Sequence, residues 1–361
     1  MRTARLGSGA AATRAAIEAL CAQPLEPEVI VQEVAERIGR VVPHDTAAWM
    51  RTDPETLLPT HALTLGLPDA DSVAAAKARG EFVDHDFNRF LDLDRSGRTV
   101  ATLTAATGGD LTRSDRHQAV YAPRGLHDEL RLLARSATST WALACLVRAA
   151  DAPPFSAEET RYLAGIARHV GDGLRAALIR TARPAHTAET ARTADPGAGP
   201  GMLVLDEQGR IEAATAEATR WLDRLPRSGP GETPLPVAMV ALQAQSGHTG
   251  RPARVRVRLA DGGWLLVHAD ILVAGASGPP RVAVMLELAA PAELLPVLFA
   301  LHGLTDRERQ VTGLLLAGHG TDDVARQLHV SRHTVRDHIK ATFGKVGVSS
   351  RAELTATLAG A

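Results

Sequence analysis

The 361-residue chain has little of what several common protein classes need. It holds two cysteines, Cys21 and Cys145, and no CxxC motif, which excludes a disulfide framework and a zinc-finger spacing and fits a reducing compartment. No stretch reaches the roughly 18 apolar residues of a membrane-spanning helix, because the best candidate, Trp264 to Val273, is interrupted by His268 and Asp270. No apolar run follows the basic N-terminus, so we expect no signal peptide, no membrane partner and a cytoplasmic location.

Aromatic residues and net charge are also scarce. Aromatics make up 3% of the chain, so the hydrophobic cores must be built mainly from alanine, leucine and valine. The net charge is −1 at pH 7, which gives the chain as a whole no basic field for nucleic acid, so any such surface must be local. What is present is a globular composition, with 45% hydrophobic and 22% charged residues, at a length typical of two or three domains.

Changes in composition mark the predicted domain boundaries. Residues 181–201 are rich in alanine, threonine, proline and glycine and lack apolar periodicity, which is typical of a linker. A second junction falls at Ala289-Ala290-Pro291. The sequence therefore predicts a first domain over 1–180, a linker over 181–201, a second domain over 202–290 and a third over 291–361.

The first domain mixes helical and strand patterns. Apolar spacing predicts helices over 11–21, 27–41, 71–79 and 86–93, and strands over 46–51, 57–65, 129–136 and 140–149. Ser156 and Glu159 have the spacing of a capping box at the start of a long helix. This order of elements, with the phrase Ala152 to Glu159 after an apolar strand, resembles a GAF-type sensor domain. The resemblance implies a pocket between the sheet and its covering helices and supplies no binding residues.

The second domain begins with a strand, turn and strand over residues 202–211. The pattern then predicts helices over 216–225 and 235–245, and strands over 253–259, 264–273 and 281–288. Asp261-Gly262-Gly263 is a hairpin signal between the first two of these strands. The segment resembles a PAS-like domain, with Thr215 where that family frequently has asparagine after the opening strand pair.

Signals for short helices follow one another in the third domain. Thr305 and Glu308 have capping-box spacing, and Thr321 begins a second helix with two acids in its first turn. Ser331 caps a third helix, which Gly347 ends as a residue that adopts the left-handed conformation. Three short helices with a tight turn between the second and third, and a fourth helix that packs back, form a helix-turn-helix arrangement.

The third helix of this arrangement carries the local charge that the whole chain lacks. Its basic residues are Arg332, Arg336, Lys340 and Lys345 against one acid, Asp337, a net charge of +3. The first three lie four residues apart and form one stripe opposite the apolar side of the helix. Such a helix can lie in the major groove of double-stranded DNA, with its flanks on phosphates.

The third domain resembles the LuxR/NarL-type helix-turn-helix family over about fifty ungapped residues. The matching positions are Leu304, Thr305, Arg307, Glu308, Val311, Gly318, Val324, Ala325, Leu328, Ser331, Thr334, Val335, His338, Phe343, Lys345, Gly347, Val348, Ser350 and Arg351. The resemblance implies a dimer that binds DNA at inverted repeats, with Arg336, Asp337 and Lys340 facing the groove. Ser331, Thr334 and Lys345 would position the DNA backbone, and Thr321 and Arg332 complete the predicted DNA-binding set.

Several positions depart from the family's pattern. Gly313 and Gly344 lie inside predicted helices, where glycine costs about 1 kcal/mol against alanine. Threonines 312 and 342 replace usual aliphatic residues, and Asp322 stands where a lysine is common, so one phosphate contact is expected to be missing. The carboxylate of Asp337, on the groove-facing side of the third helix, can accept a hydrogen bond from cytosine N4. Such a contact sharpens the choice of DNA sequence and lowers the affinity for DNA.

Other patterns have competing interpretations. Two interpretations, core packing and the lining of a ligand pocket, are open for four aromatic residues, Trp49, Trp141, Tyr121 and Phe90. Cys145 fits either a small core residue or a redox sensor. Polar packing and haem ligation are open for His248 and His268, while His333 and His338 do not have metal-ligand spacing. Gly197 to Gly201 lacks the lysine and preceding strand of a phosphate loop and fits the linker.

The sequence as a whole predicts a multidomain α+β protein, with GAF-like and PAS-like sensor modules followed by an all-α four-helix helix-turn-helix domain. We expect a DNA-binding transcription regulator without catalytic residues, metal or cofactor. Its expected partners are double-stranded DNA, a second copy of the chain, a small-molecule effector and RNA polymerase. Three alternatives are a constitutive regulator whose N-terminal domains only dimerise or bind a protein, an enzyme built on the N-terminal half, and a partner-binding module whose helix-turn-helix serves dimerisation alone.

Overall fold

The structure, a computed structural model, describes residues 6, 9–66, 77, 79–82, 86–182, 199–225, 233–247, 253–260, 263–272 and 281–358. These residues form two five-stranded antiparallel sheets with covering helices, followed by a run of helices at the C-terminal end. This α+β architecture with a helical ending confirms the predicted fold class. None of the helices in the described ranges combines the length and the apolar character needed to cross a membrane.

The first sheet and its helices closely follow the sequence pattern. The elements in chain order are α1 (Ala10–Cys21), α2 (Pro27–Val41), β1 (Thr46–Thr52), β2 (Pro59–Leu65), α3 (Phe90–Ser96), β3 (Val100–Thr102), α4 (Leu103–Thr107), β4 (Leu126–Ser136), β5 (Ser139–Ala149) and α5 (Ala157–Ala182). The strand order is β2-β1-β5-β4-β3. Elements β3 and α4 are too short to give a periodic signal and were not predicted.

One predicted helix is displaced and another cannot be compared. The helix predicted over 86–93 begins only at Phe90, because Asn88 has a left-handed φ of 56° and the Asp86 carboxylate accepts from Ser114 and Arg116 instead of starting a helix. The helix predicted over 71–79 lies almost entirely outside the described residues.

Helices cover both faces of the first sheet. On one face, α1, α2 and α5 pack against inward residues such as Leu130 and Leu132, and on the other Phe90 of α3 packs against Leu133 and Cys145. Two glycines bring α5 close, since a Cβ at Gly171 would lie 2.4 Å from the backbone of Arg135 and one at Gly173 would lie 2.7 Å from Cys21 Cβ. The four aromatics with open interpretations (Trp49, Trp141, Tyr121 and Phe90) are all buried.

The second sheet has the same strand order as the first. Its elements are β6 (Gly201–Leu205), β7 (Ile211–Ala214), α6 (Ala216–Arg224), α7 (Leu235–Ser246), β8 (Arg254–Arg258), β9 (Trp264–Leu272) and β10 (Arg281–Leu288), in the order β7-β6-β10-β9-β8. Helices α6 and α7 cover one face, and Thr215 caps α6. Residues of the opposite face such as Met202 are exposed. The predicted hairpin turn at Asp261-Gly262 and His248 lie outside the described residues.

Five helices follow the second sheet: α8 (Pro291–Leu301), α9 (Asp306–Leu316), α10 (Thr321–Gln327), α11 (Arg332–Val346) and α12 (Arg351–Leu358). The sequence pattern did not predict α8, which we call the connector helix. Its residues Leu294, Val297 and Leu298 are buried in the same hydrophobic cluster as the core residues of α5. The domain boundaries at residues 180, 201 and 290 stay predictions.

Candidate nucleic-acid interface

A small apolar core holds the three helices of the helix-turn-helix together. Val311 of α9, Val324 and Ala325 of α10 and Val335 of α11 are buried against one another. Thr305 accepts from the Glu308 backbone N–H and the Glu308 carboxylate accepts from the Thr305 N–H, so the predicted capping box starts α9. These contacts fix α11 across α10, as DNA-binding helix pairs require.

The turn before α11 contains a contact that the sequence reasoning missed. His329 has a left-handed φ of 53°, and the guanidinium of Arg307 donates to the Leu328 carbonyl over 2.7 Å. The sequence identifies Arg307 only as a position of the family's motif. Its hydrogen bond satisfies a carbonyl at the C-terminal end of α10 and holds the turn that aims α11.

Helix α11 begins and ends as the sequence predicts. Ser331 Oγ accepts from the Thr334 backbone N–H over 3.1 Å and lies 2.9 Å from Thr334 Oγ1. Gly347 ends the helix with a φ of 79°. The predicted backbone contacts Ser331 and Thr334 thus lie together at the N-terminal end of α11, where backbone N–H groups and the helix dipole favour a phosphate.

The predicted groove-facing residues form one exposed surface on α11. Arg336, Asp337 and Lys340 are all exposed. Within the described residues neither Arg336 nor Lys340 has an ion-pair partner, while the Asp337 carboxylate lies 3.6 Å from the ring of His333, a contact that carries charge only when the histidine is protonated. We call these three residues the reading face.

Two other predicted DNA-binding residues contact neighbouring helices. Arg332 Nε lies 2.7 Å from the Asp322 carboxylate of α10. Asp322 stands where a lysine is common, and here it fixes an arginine of α11. The guanidinium of Arg351 in α12 donates to Thr321 Oγ1 over 2.6 Å. Thr321 and Arg332 therefore each have a partner within the domain, and their contacts with DNA stay predictions.

Lys345 lies at the opposite end of α11 from Ser331. Its Nζ donates to the Glu308 carboxylate over 2.6 Å and to the Gly303 carbonyl over 3.1 Å. Burial raises the pKa of Glu308, but the hydrogen bonds from Lys345 and Thr305 outweigh it and leave the pKa below its ordinary value. Lys345 thus ties α11 to the start of α9, and its predicted phosphate contact would be an additional role.

The two threonines that replace aliphatic residues meet inside the domain. Thr312 of α9 and Thr342 of α11 are fully buried, and their hydroxyl oxygens lie 3.4 Å apart. Gly313 and Gly344, next to them in sequence, have open space where a Cβ would lie. The two threonines therefore contact each other across the α9–α11 interface, and the two glycines cause no close approach.

The size of the exposed helix suits the groove of B-form DNA. Helix α11 has 15 residues, which gives a length of roughly 22 Å. An α-helix fits the major groove, which is about 12 Å wide. The reading face can therefore reach base edges while the N-terminal end of α11 approaches phosphates. Among the described residues, no three His, Cys, Asp or Glu side chains are placed to hold a metal ion.

Comparison with known families agrees with this geometry. Residues 302–358 match the luxR family of bacterial regulatory proteins. These C-terminal residues are a LuxR-family helix-turn-helix domain.

Two similar proteins are HTH-type transcriptional regulators. MalT of Yersinia pestis is 39% identical over 59 residues, which cover 16% of this chain and 6% of MalT. A regulator encoded in the exeN 3′ region of Aeromonas salmonicida is 49% identical over 51 residues, or 14% of this chain and 26% of that protein. The chain therefore covers only a small part of either relative.

Solved structures give remote likenesses to a larger part of the chain. A GAF domain/HD domain protein from Geobacter sulfurreducens has a TM-score of 0.32 at 18% identity, covering 43% of this chain and 95% of that one. The LuxR-type receptor VqmA of Vibrio cholerae has a TM-score of 0.20 at 18% identity, covering 47% of this chain and 86% of that one. Likenesses at these TM-scores are too remote to assign a ligand or an activity.

Proposed function

We propose that this protein is a sequence-specific transcription regulator that binds double-stranded DNA as a homodimer. The observation that supports this most directly is the reading face, where Arg336, Asp337 and Lys340 are exposed on a helix fixed by the core of a LuxR-family domain. Bidentate contacts from arginine to guanine are the commonest specific contacts in the major groove. The Asp337 carboxylate would add a preference for cytosine, because it can accept a hydrogen bond from cytosine N4.

The charge distribution supports a dimer. Residues 305–361 hold eight basic and six acidic residues, a net charge of +2, against −3 for residues 1–304. One subunit therefore offers an electrostatic footprint of about one helix, and few phosphate contacts mean weak binding. Two subunits would place two α11 helices in successive major grooves about 34 Å apart, as at an inverted repeat.

We further propose that the two N-terminal sheets act as sensor domains for a small-molecule effector. The support is that both sheets contact the connector helix, which leads directly into the DNA-binding domain. An effector can change DNA binding only if it has different affinities for two arrangements of the sheets and the helix-turn-helix, one that binds DNA and one that does not. The rival interpretation is a constitutive regulator whose sheets dimerise or bind a protein partner; contact with RNA polymerase is proposed from the family resemblance alone.

DNA binding is tested by footprinting and fluorescence anisotropy on the DNA upstream of the protein's own gene. The wild type should protect two half-sites about one helical turn apart, and the Arg336→Ala/Lys340→Ala variant should lose this protection. Arg168→Ala is the matched control, since Arg168 is a highly exposed arginine of α5 away from the helix-turn-helix. Equal loss in the control, or undiminished selectivity in the double variant, would remove the reading face from its proposed role.

Dimerisation and sensing are tested separately from DNA binding. Sedimentation of the wild type with a two-half-site duplex should give two subunits per duplex, and one subunit per duplex would contradict the dimer. Footprinting repeated with and without cell extract tests the effector. An extract-dependent change in protection supports sensing, and identical footprints favour the constitutive regulator.

A further inference from the structure

Five charged residues meet where the first sheet, the second sheet and the connector helix come together. They are Asp53 and Glu55 after strand β1, Arg254 and Arg256 of β8, and Glu293 in the first turn of α8. We call these five residues the junction cluster. Its members are far apart in sequence, so only the packing of the three parts assembles them.

The centre of the junction cluster is a fully buried ion pair. Arg256 Nη1 lies 2.9 Å from Asp53 Oδ2, and both side chains are completely buried. The same carboxylate oxygen accepts from the Arg256 backbone N–H over 2.9 Å. Strand β8 is an edge of the second sheet, so Asp53 occupies an edge N–H that another strand could otherwise pair with.

The other side chains extend the pair to the connector helix. Arg256 Nη2 lies 2.7 Å from Glu55, and Arg254 Nη1 lies 3.1 Å from the Glu293 carboxylate. Arg256 Nε also donates to the Glu293 backbone carbonyl. Since Glu293 lies in the first turn of α8, two arginines of the second sheet hold the N-terminal end of this helix.

The first domain holds the C-terminal end of the connector helix. Arg175 of α5 donates from Nη1 to the Leu301 carbonyl over 2.7 Å, and from Nε to Ser136 Oγ over 3.0 Å. Beyond the helix, Arg309 Nη2 donates to Thr138 Oγ1 over 3.1 Å in the turn between β4 and β5. The connector helix is therefore held at both ends, and the DNA-binding domain is docked on the first domain.

This docking leaves the reading face open. Arg309 of α9 contacts the turn between β4 and β5, and the buried Leu354 and Leu358 of α12 lie in the hydrophobic cluster that also contains the connector helix. The reading face on α11 remains exposed. The described arrangement is thus one in which the DNA-binding domain is fixed and still able to approach DNA.

We propose that the junction cluster and Arg175 form a two-ended clamp on the connector helix that holds the DNA-binding domain in its DNA-binding orientation. The proposal rests on the proposed function, because it names how that DNA-binding site is positioned. A fixed orientation favours binding, since a domain that must be ordered on contact with DNA loses part of the interaction free energy.

The clamp is tested with Glu293→Gln, which removes the negative charge of α8 that faces Arg254 and Arg256 and leaves the Asp53–Arg256 pair in place. The matched control is Glu212→Gln, which removes an exposed ion pair with Arg281 in the same sheet, away from the connector helix. Arg256→Met is the stronger variant, with thermal unfolding to verify that it folds. Hydrogen exchange of the amides of residues 294–304 is measured without DNA, and affinity by anisotropy with DNA.

The clamp predicts that Glu293→Gln speeds exchange in residues 294–304 at least about threefold and weakens DNA binding about three- to tenfold, with no change in Glu212→Gln. Unchanged exchange overturns the clamp. Faster exchange with equal or tighter DNA binding overturns the proposed orientation, and tighter binding would identify the contact as inhibitory. A wild type that does not bind DNA refutes the proposed function, while exchange still decides whether the clamp exists.

Discussion

The charged residues of the first sheet and those of helix α11 lie in opposite environments. On one face of the first sheet, Glu129 is buried with its carboxylate 2.9 Å from Arg116 and 3.1 Å from Arg131. On α11, Arg336 and Lys340 are exposed and lack an ion-pair partner among the described residues. A buried charge requires partners inside the protein, whereas an exposed charge is available for partners outside it. The comparison separates charges that stabilise the fold from exposed charges to which the proposed function assigns DNA recognition.

The pKa of Glu129 reflects its buried surroundings. Burial raises the pKa of Glu129, but Arg116, Arg131 and Lys77 outweigh it and bring the pKa well below its ordinary value. A carboxyl whose pKa is lower in the folded state stabilises the fold above its unfolded-state pKa, and this stabilisation is lost as the pH falls through the folded-state pKa. The ion pairs of Glu129 therefore stabilise the protein at neutral pH, and this stabilisation is lost in acid.

The largest effect is expected from Glu129→Ala. The change leaves Arg116 and Arg131 buried without their shared carboxylate, so the free energy of unfolding should fall by about 3–5 kcal/mol. Urea unfolding followed by circular dichroism measures it. A loss under about 1 kcal/mol would show that water or a rearrangement compensates the arginines, and would weaken the contrast between the two environments.

Arg336→Ala tests the other side of the comparison. We expect DNA binding to weaken by about 1–3 kcal/mol with relaxed choice at one base pair, since a base contact is lost. The unfolding midpoint should not change, because Arg336 is exposed. Anisotropy against a set of duplexes with single base changes measures the selectivity. If the variant keeps its selectivity but unfolds earlier, Arg336 belongs with the stabilising charges.

Lys345 lies between the two classes, because it is partnered inside the domain and predicted to contact phosphate. Lys345→Ala should weaken binding to all sequences about equally and reduce the slope of log affinity against log salt by about one. Glu308→Gln is the comparison variant, since it removes the internal ion pair and keeps the lysine. If both variants weaken binding equally with an unchanged salt slope, Lys345 acts only by holding α11 against α9.

The smallest effects are expected from Gly313→Ala and Gly344→Ala. Both glycines lie inside helices with open space at the Cβ position, so each change should stabilise the domain by up to about 1 kcal/mol. Thermal unfolding measures the shift, and DNA affinity should stay the same. A fall in stability would indicate that one of these helices bends at its glycine.

Much of the fold could be predicted because local patterns agree with the packing that they produce. The capping residues Thr305 and Ser331, the helix-ending Gly347 and the apolar stripe of α5 all appear in the structure as predicted. Local hydrogen bonds and apolar periodicity are properties of neighbouring residues, so they are legible in the sequence. The exposure of the reading face could be predicted for the same reason. The apolar side of α11 packs inward, which leaves the opposite side of the helix exposed.

Long-range pairing could not be predicted in the same way. The sequence pattern placed Arg332 on a basic stripe and the family resemblance gave Lys345 as a contact to the DNA backbone, but neither contained a signal for their partners Asp322 and Glu308. The connector helix was missed as well, since its nearly uniform apolar residues and internal Pro296 give no helical alternation. The junction cluster depends on strands and helices that meet only after folding.

The amino-acid sequence by itself determined the kinds of element, the helix-turn-helix and the location of the positive charge, because each follows from the spacing of near neighbours. The tertiary structure decided which charges are buried, which are paired and how the connector helix is held. Asp53 and Arg256 illustrate the difference, since they are 203 residues apart and lie 2.9 Å from each other. Such a pair forms only when the removal of apolar surface from water brings distant segments together.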